Sequence, residues 1–148
     1  MNPYVLGLLV FSLNSLAFAA NDTSKLCPPL NGVWAGENGS TPIAIRIKRG
    51  TLQIGKNPLY VLDSEVHENP WSSMDSEYDG IKSTQAGCTI TKNGPTLNLT
   101  ICMPSPFVDC SALTFSMNEA GNQITLKVTA IYKTKVIREK PEVLHRVH

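Results

Sequence analysis

The stretch Cys88-Thr-Ile-Thr-Lys-Asn-Gly-Pro-Thr-Leu-Asn-Leu-Thr-Ile-Cys102 decides the fold. From Thr96 to Cys102 apolar and polar residues alternate. Leu97, Leu99 and Ile101 therefore share one face of a strand, while Asn98 and Thr100 share the other. Asn93-Gly94, between this run and Cys88–Thr91, is a strong hairpin signal, with Pro95 directly after it. A period of two rather than 3.6 on both sides of a tight turn means paired antiparallel strands with one buried face.

The same period continues in both directions along the chain. Ile43, Ile45 and Ile47 alternate with Arg46 and Lys48, and Arg49-Gly50 turns the chain into Thr51–Gly55, where Leu52 and Ile54 extend the inward set. Asn57-Pro58 breaks that strand before Leu59–Leu62. Downstream, Leu113, Phe115 and Met117 alternate with Thr114 and Ser116. After Gly121, the residues Ile124, Leu126, Val128 and Ala130 fall on one side of Ile124–Tyr132. With Gly32–Gly36 as the first strand, about eight short strands are predicted, the pattern of a small antiparallel β-barrel or β-sandwich. No stretch of ten or more residues has helical period. The one helix signal is terminal, where Pro141-Glu142 opens Pro141–Val147 and allows a short C-terminal helix of two turns.

A chain of 148 residues with 42% hydrophobic residues supports one domain and one core. A net charge of +1 and only 17% charged residues exclude the clustered basic excess of a nucleic-acid binder. Residues 1–19 read as a signal peptide and 20–148 as a single all-β domain. Val5–Leu13 is too short to span a bilayer, and Ala17-Phe-Ala19 has the small-x-small pattern of a cleavage site. No membrane span is expected in the mature chain, and the expected location is secreted or periplasmic. The 4 cysteines, Cys27, Cys88, Cys102 and Cys110, agree with export and read as two disulfides. Proximity in sequence favours Cys102–Cys110, leaving Cys27–Cys88. The sequons at Asn21, Asn38 and Asn98 would accept glycans only in a eukaryotic secretory pathway.

Leu30-Asn-Gly-Val-Trp34 resembles the Gly-x-Trp that opens the first strand of calycin-type barrels, the lipocalins and avidins. The resemblance implies a small barrel whose floor is closed by the Trp34 indole, with a late arginine packed over it. Arg138 takes that part ahead of Arg146. The alternative is an indole that plugs the core of an unrelated sandwich.

Charge is unevenly spread. Between Lys56 and Lys82 there is no basic residue, and Asp63, Glu65, Glu68, Asp75, Glu77 and Asp79 make up half of the 12 acids. Asp75–Gly80 opens like an EF-hand loop, but the closing carboxylate position is Ala86, so no calcium site is expected. The cysteines form no CxxC pair, and no other metal or cofactor is called for. Residues Trp71 and Met74 stand in the same polar, turn-rich stretch, with Tyr78 and Tyr60 near them. They are the binding candidates, because loops at the mouth of a rigid barrel carry recognition residues. The alternative for Trp71 is that it folds back and caps the barrel. His67 stands beside Glu65 and Glu68, but no nucleophile motif accompanies it, so an enzyme is not the leading expectation. The leading expectation is a non-enzymatic binding protein with a small apolar ligand in the barrel interior. The other is a secreted protein-binding module, an inhibitor or host-interaction factor, that uses the 63–79 loop.

Overall fold

A computed structural model describes residues 22–37, 39–71, 78 and 80–148. Ten antiparallel strands form one curled sheet, a half-barrel, in the order β4-β3-β2-β1-β10-β9-β8-β7-β6-β5. The strands are β1 Gly32–Gly36, β2 Ile43–Lys48, β3 Thr51–Ile54, β4 Tyr60–Val61, β5 Val66–Glu68, β6 Ser83–Thr91, β7 Gly94–Cys102, β8 Cys110–Met117, β9 Gln123–Tyr132 and β10 Lys135–Arg146. Two 3₁₀ turns, Ser24–Leu26 and Pro28–Leu30, precede β1. The expected signal peptide lies outside the described residues.

The alternation read from β7 holds. Leu97 and Leu99 are buried and Asn98 is exposed on the outer face. Thr91 pairs with Gly94, so the turn residues are Lys92-Asn93 rather than Asn93-Gly94. Both disulfides form as expected, Cys27–Cys88 and Cys102–Cys110.

Three expectations are corrected. The described residues form ten strands, not eight, because β5 and β10 carry too little apolar signal to stand out. β5 is three residues of an acidic stretch, and β10 is dominated by charged side chains. There is no C-terminal helix, because Pro141–Arg146 continues β10 and Leu144 and His145 pair on both sides, with β9 and with β1. Pairing on two flanks satisfies more backbone groups than two isolated helical turns would. Finally, Val128 does not join Ile124 and Leu126 in the core. It is 38% exposed, since its row of the sheet leads through Leu113 on one side to Lys140 on the other.

Beyond residue 143 towards its start, β10 has no partner on its second side among the described residues. Arg146 N–H donates towards the β9 side, to Asn122, and Val147 N–H towards the β1 side, to Val33. Alternation along the strand then turns the nitrogen of Pro141 to the open edge, where a missing donor costs no ladder bond. Arg138, which the resemblance placed over Trp34, is an exposed residue of this edge.

The two ends of the sheet approach each other through one short segment. Tyr60–Val61 pair with β3, Val66–Glu68 pair with β6, and between them Leu62 makes an isolated parallel bridge to Ala86. Ser64 N–H donates to Ala86 O at 2.9 Å. The crossing is close, and a Cβ on Gly87 would run into the Ser64 side chain and come within 3.3 Å of its Cα. The N-terminal segment is sewn to the same place. Thr23 donates to Leu62 O from its N–H and its hydroxyl (2.8 and 2.9 Å), and its Oγ1 accepts from Cys88 N–H at 2.9 Å.

Candidate functional site

At the end of the half-barrel where β10 finishes, the Trp34 indole is fully buried and donates to Leu30 O at 3.0 Å. The guanidinium lying over it, 4.2 Å from the ring centroid, belongs to Arg146 rather than Arg138. Arg146 also donates to the carbonyls of Asn31 and Pro29, each at 2.8 Å. Its planar fork suits this combination of stacking and carbonyl capture. Gly32 is required beneath it. Its φ is 146°, and a Cβ there would stand 2.7 Å from Arg146 Nη1. This end is structural.

The binding candidates gather at the opposite end, where β6 begins. Tyr60, Trp71 and Tyr78 form an edge-to-face series with ring centroids 5.1 Å and 5.4 Å apart. Trp71 is only 7% exposed, and its indole N–H donates to Leu59 O at 3.3 Å. It folds inward, capping the core rather than standing free. Tyr60 is buried beside it, and burial pushes its phenol pKa up, so the ring stays neutral. Met74 lies outside the described residues, as does most of the acidic stretch from Asp75 to Asp79.

A cleft of about 500 Å³ opens outside this aromatic cap. One wall is Leu59 with Tyr60–Val61 of β4, and the other is Val66–Glu68 of β5 with Asn69 and Pro70. Tyr60, Trp71 and Thr84 line it as well. The cleft thus separates the two terminal strands of the sheet. Leu59 is 56%, Val61 44% and Val66 57% exposed, an apolar rim around an aromatic base. These three residues were not singled out from the sequence. Val61 fits its strand's alternation, but nothing in a three-residue run such as Val66–Glu68 marks which side chain faces solvent.

Within the wall, His67 Nε2 lies 3.0 and 2.9 Å from the two carboxylate oxygens of Asp63. Asp63 Oδ1 also accepts from the Glu65 N–H at 2.9 Å. Burial works against the charged form of Asp63, but these hydrogen bonds outweigh it and hold the carboxyl below its ordinary pKa. The pair braces the turn between β4 and β5. The sequence had set His67 beside Glu65 and Glu68, but His67 meets Asp63 instead, and both glutamates are exposed. Among the described residues no group of three or more His, Cys, Asp or Glu side chains is arranged to hold a metal ion.

The inward side of the sheet is filled. Trp34, Ile45, Leu52, Leu97, Leu99, Phe115 and Ile124 are each at most 2% exposed and belong to one cluster with Trp71 and Tyr60. No protein-family model, no curated protein and no solved structure matches the chain.

Proposed function

We propose that this is a non-enzymatic binding protein of an oxidising, extracytoplasmic compartment that recognises a protein partner through the cleft between β4 and β5. The observation that carries the reading is the contrast between interior and rim. Large side chains occupy the inward positions up to the Trp71 cap, whereas Leu59, Val61 and Val66 stand exposed around the cleft. Apolar side chains grouped around a concavity are the usual mark of an interaction surface. The two disulfides suit the compartment, because such bonds persist where the redox poise is oxidising. Cleavage after a signal peptide of residues 1–19 is part of the same proposal.

Affinity capture from the medium or periplasm of the producing cell tests it, with Val66→Asp as the control. Val66 is exposed, so the substitution should change stability by no more than about 0.5 kcal/mol. One protein retained in stoichiometric amount by the parent and lost by the variant is the expected result. Equal recovery on both removes the cleft from recognition.

The second reading is a small apolar ligand held in the interior of a calycin-type barrel. It is supported by Gly32-x-Trp34 together with the Arg146 guanidinium over the indole. Such a ligand would have to displace the Trp71 cap. Native mass spectrometry of protein purified without delipidation separates the readings. A retained small molecule favours the second, and a clean apo mass favours the first.

A further inference from the structure

We infer that the partner enters the cleft as an extended segment that adds a strand to the free edge of β5, with basic residues alternating with apolar ones. The inference rests on the cleft being the recognition surface and goes on to specify the mode and chemistry of recognition.

The main chain supplies the first reason. Asn69 N–H donates to Lys82 O at 2.7 Å, towards β6. Strand alternation then turns the N–H and C=O of Glu68 and Val66 away from β6 and towards the cleft. No described residue pairs with them. On the facing wall, Leu62 N–H donates to Gly50 O at 2.8 Å, on the β3 side, and Leu62 forms the parallel bridge to Ala86 of β6, so the open edge of the cleft is that of β5. A strand edge with no partner among the described residues makes a template for an added strand, and main-chain bonds supply the affinity in that mode.

Side chains supply the second. An added strand alternates its faces, so every other side chain would point inward at Tyr60, Trp71 and Thr84, which suits apolar groups. The remaining side chains would lie outward beside Val61, Val66 and Glu68, with Glu65 just before β5. Glu65 and Glu68 are exposed, and the stretch between Lys56 and Lys82 carries no basic residue. Lysine or arginine fits there, with its alkyl stem along the valines and its charge at the glutamates.

Fluorescence anisotropy with labelled nine-residue peptides tests the inference on the full mature chain. The probes are a peptide alternating valine and lysine, its valine–glutamate counterpart, a block peptide with the lysines segregated from the valines, and an alternating peptide N-methylated at every second residue. The valine–lysine peptide should bind at least tenfold tighter than each of the other three. The double variant Glu65→Lys/Glu68→Lys, both at exposed sites, should reverse the preference towards the valine–glutamate peptide. Equal affinity for the N-methylated peptide overturns strand addition, and equal affinity for the block peptide overturns the alternation. No binding by any peptide overturns the inference, while loss of partner capture by Val66→Asp would still uphold the cleft. Equal capture by parent and Val66→Asp would instead sink the cleft itself.

Discussion

At the scale of single residues, Trp34 and Asp63 hold the two regions that the rest of the molecule leans on. Trp34 is fully buried, hydrogen-bonded and covered by Arg146. Its replacement by alanine should cost about 3–5 kcal/mol, because the rigid strands around it cannot collapse into the vacated space. Chemical denaturation would show this, and a loss under about 1 kcal/mol would contradict the burial. Asp63 offers a test with a sign. Its pKa is lowered in the folded state, so its contribution is complete above the ordinary value near 3.8 and is lost as the pH falls through the folded value. Asp63→Asn should therefore be less stable than the parent at pH 5 by about 1–3 kcal/mol. The gap should close as the parent's carboxylate is protonated in stronger acid. Stability curves of both proteins measured between neutral and strongly acidic pH decide it, and a gap that persists unchanged rejects the bracing role.

At the scale of elements, β10 shows how an open edge is kept single. Lys135, Arg138 and Lys140 line it, the register shifts between Val136 and Arg138, and Pro141 presents no donor. Charges, a bulge and a proline are the devices that discourage edge-to-edge pairing. Pro141→Thr restores a donor where the strand has none and leaves the β9 ladder intact. It should promote concentration-dependent self-association, read by sedimentation velocity. A variant that sediments like its parent at every concentration would mean that the charges and the bulge suffice. The edge of β5 has no proline or bulge, and its charge is the acidic Glu68 rather than a lysine. The two edges of the sheet thus differ in charge, basic along β10 and acidic at β5.

At the scale of the whole molecule, the disulfides differ in what they constrain. Cys27–Cys88 closes a loop across a sequence separation of 61 and ties the N-terminal segment to β6, whereas Cys102–Cys110 spans only 8. On chain entropy alone the long bridge is worth about 4 kcal/mol and the short one about 2.5 kcal/mol. Cys27 and Cys88 are also buried to within 1%. Replacing both by alanine should lower the denaturation midpoint more than replacing Cys102 and Cys110. The reverse order would mean that the N-terminal segment is held chiefly by its hydrogen bonds to Leu62 and Cys88.

The sequence by itself determined the class of fold and the buried faces of most central strands, and it favoured by proximity the disulfide pairing that the structure shows. Each of these follows from local chemistry. A period of two tells inside from outside within one strand, and proximity in sequence favours Cys102–Cys110 among the three possible connectivities. The candidate site was legible as a set of aromatic residues, Tyr60, Trp71 and Tyr78, but not as a geometry. Only the tertiary structure decided that Trp71 turns inward, that Arg146 rather than Arg138 covers Trp34, and that β4 and β5 face each other across a cleft. These outcomes depend on which distant strands become neighbours. A charged strand such as β10 carries almost no local signal, because its place comes from backbone pairing with β9 and β1 rather than from burial of its own side chains.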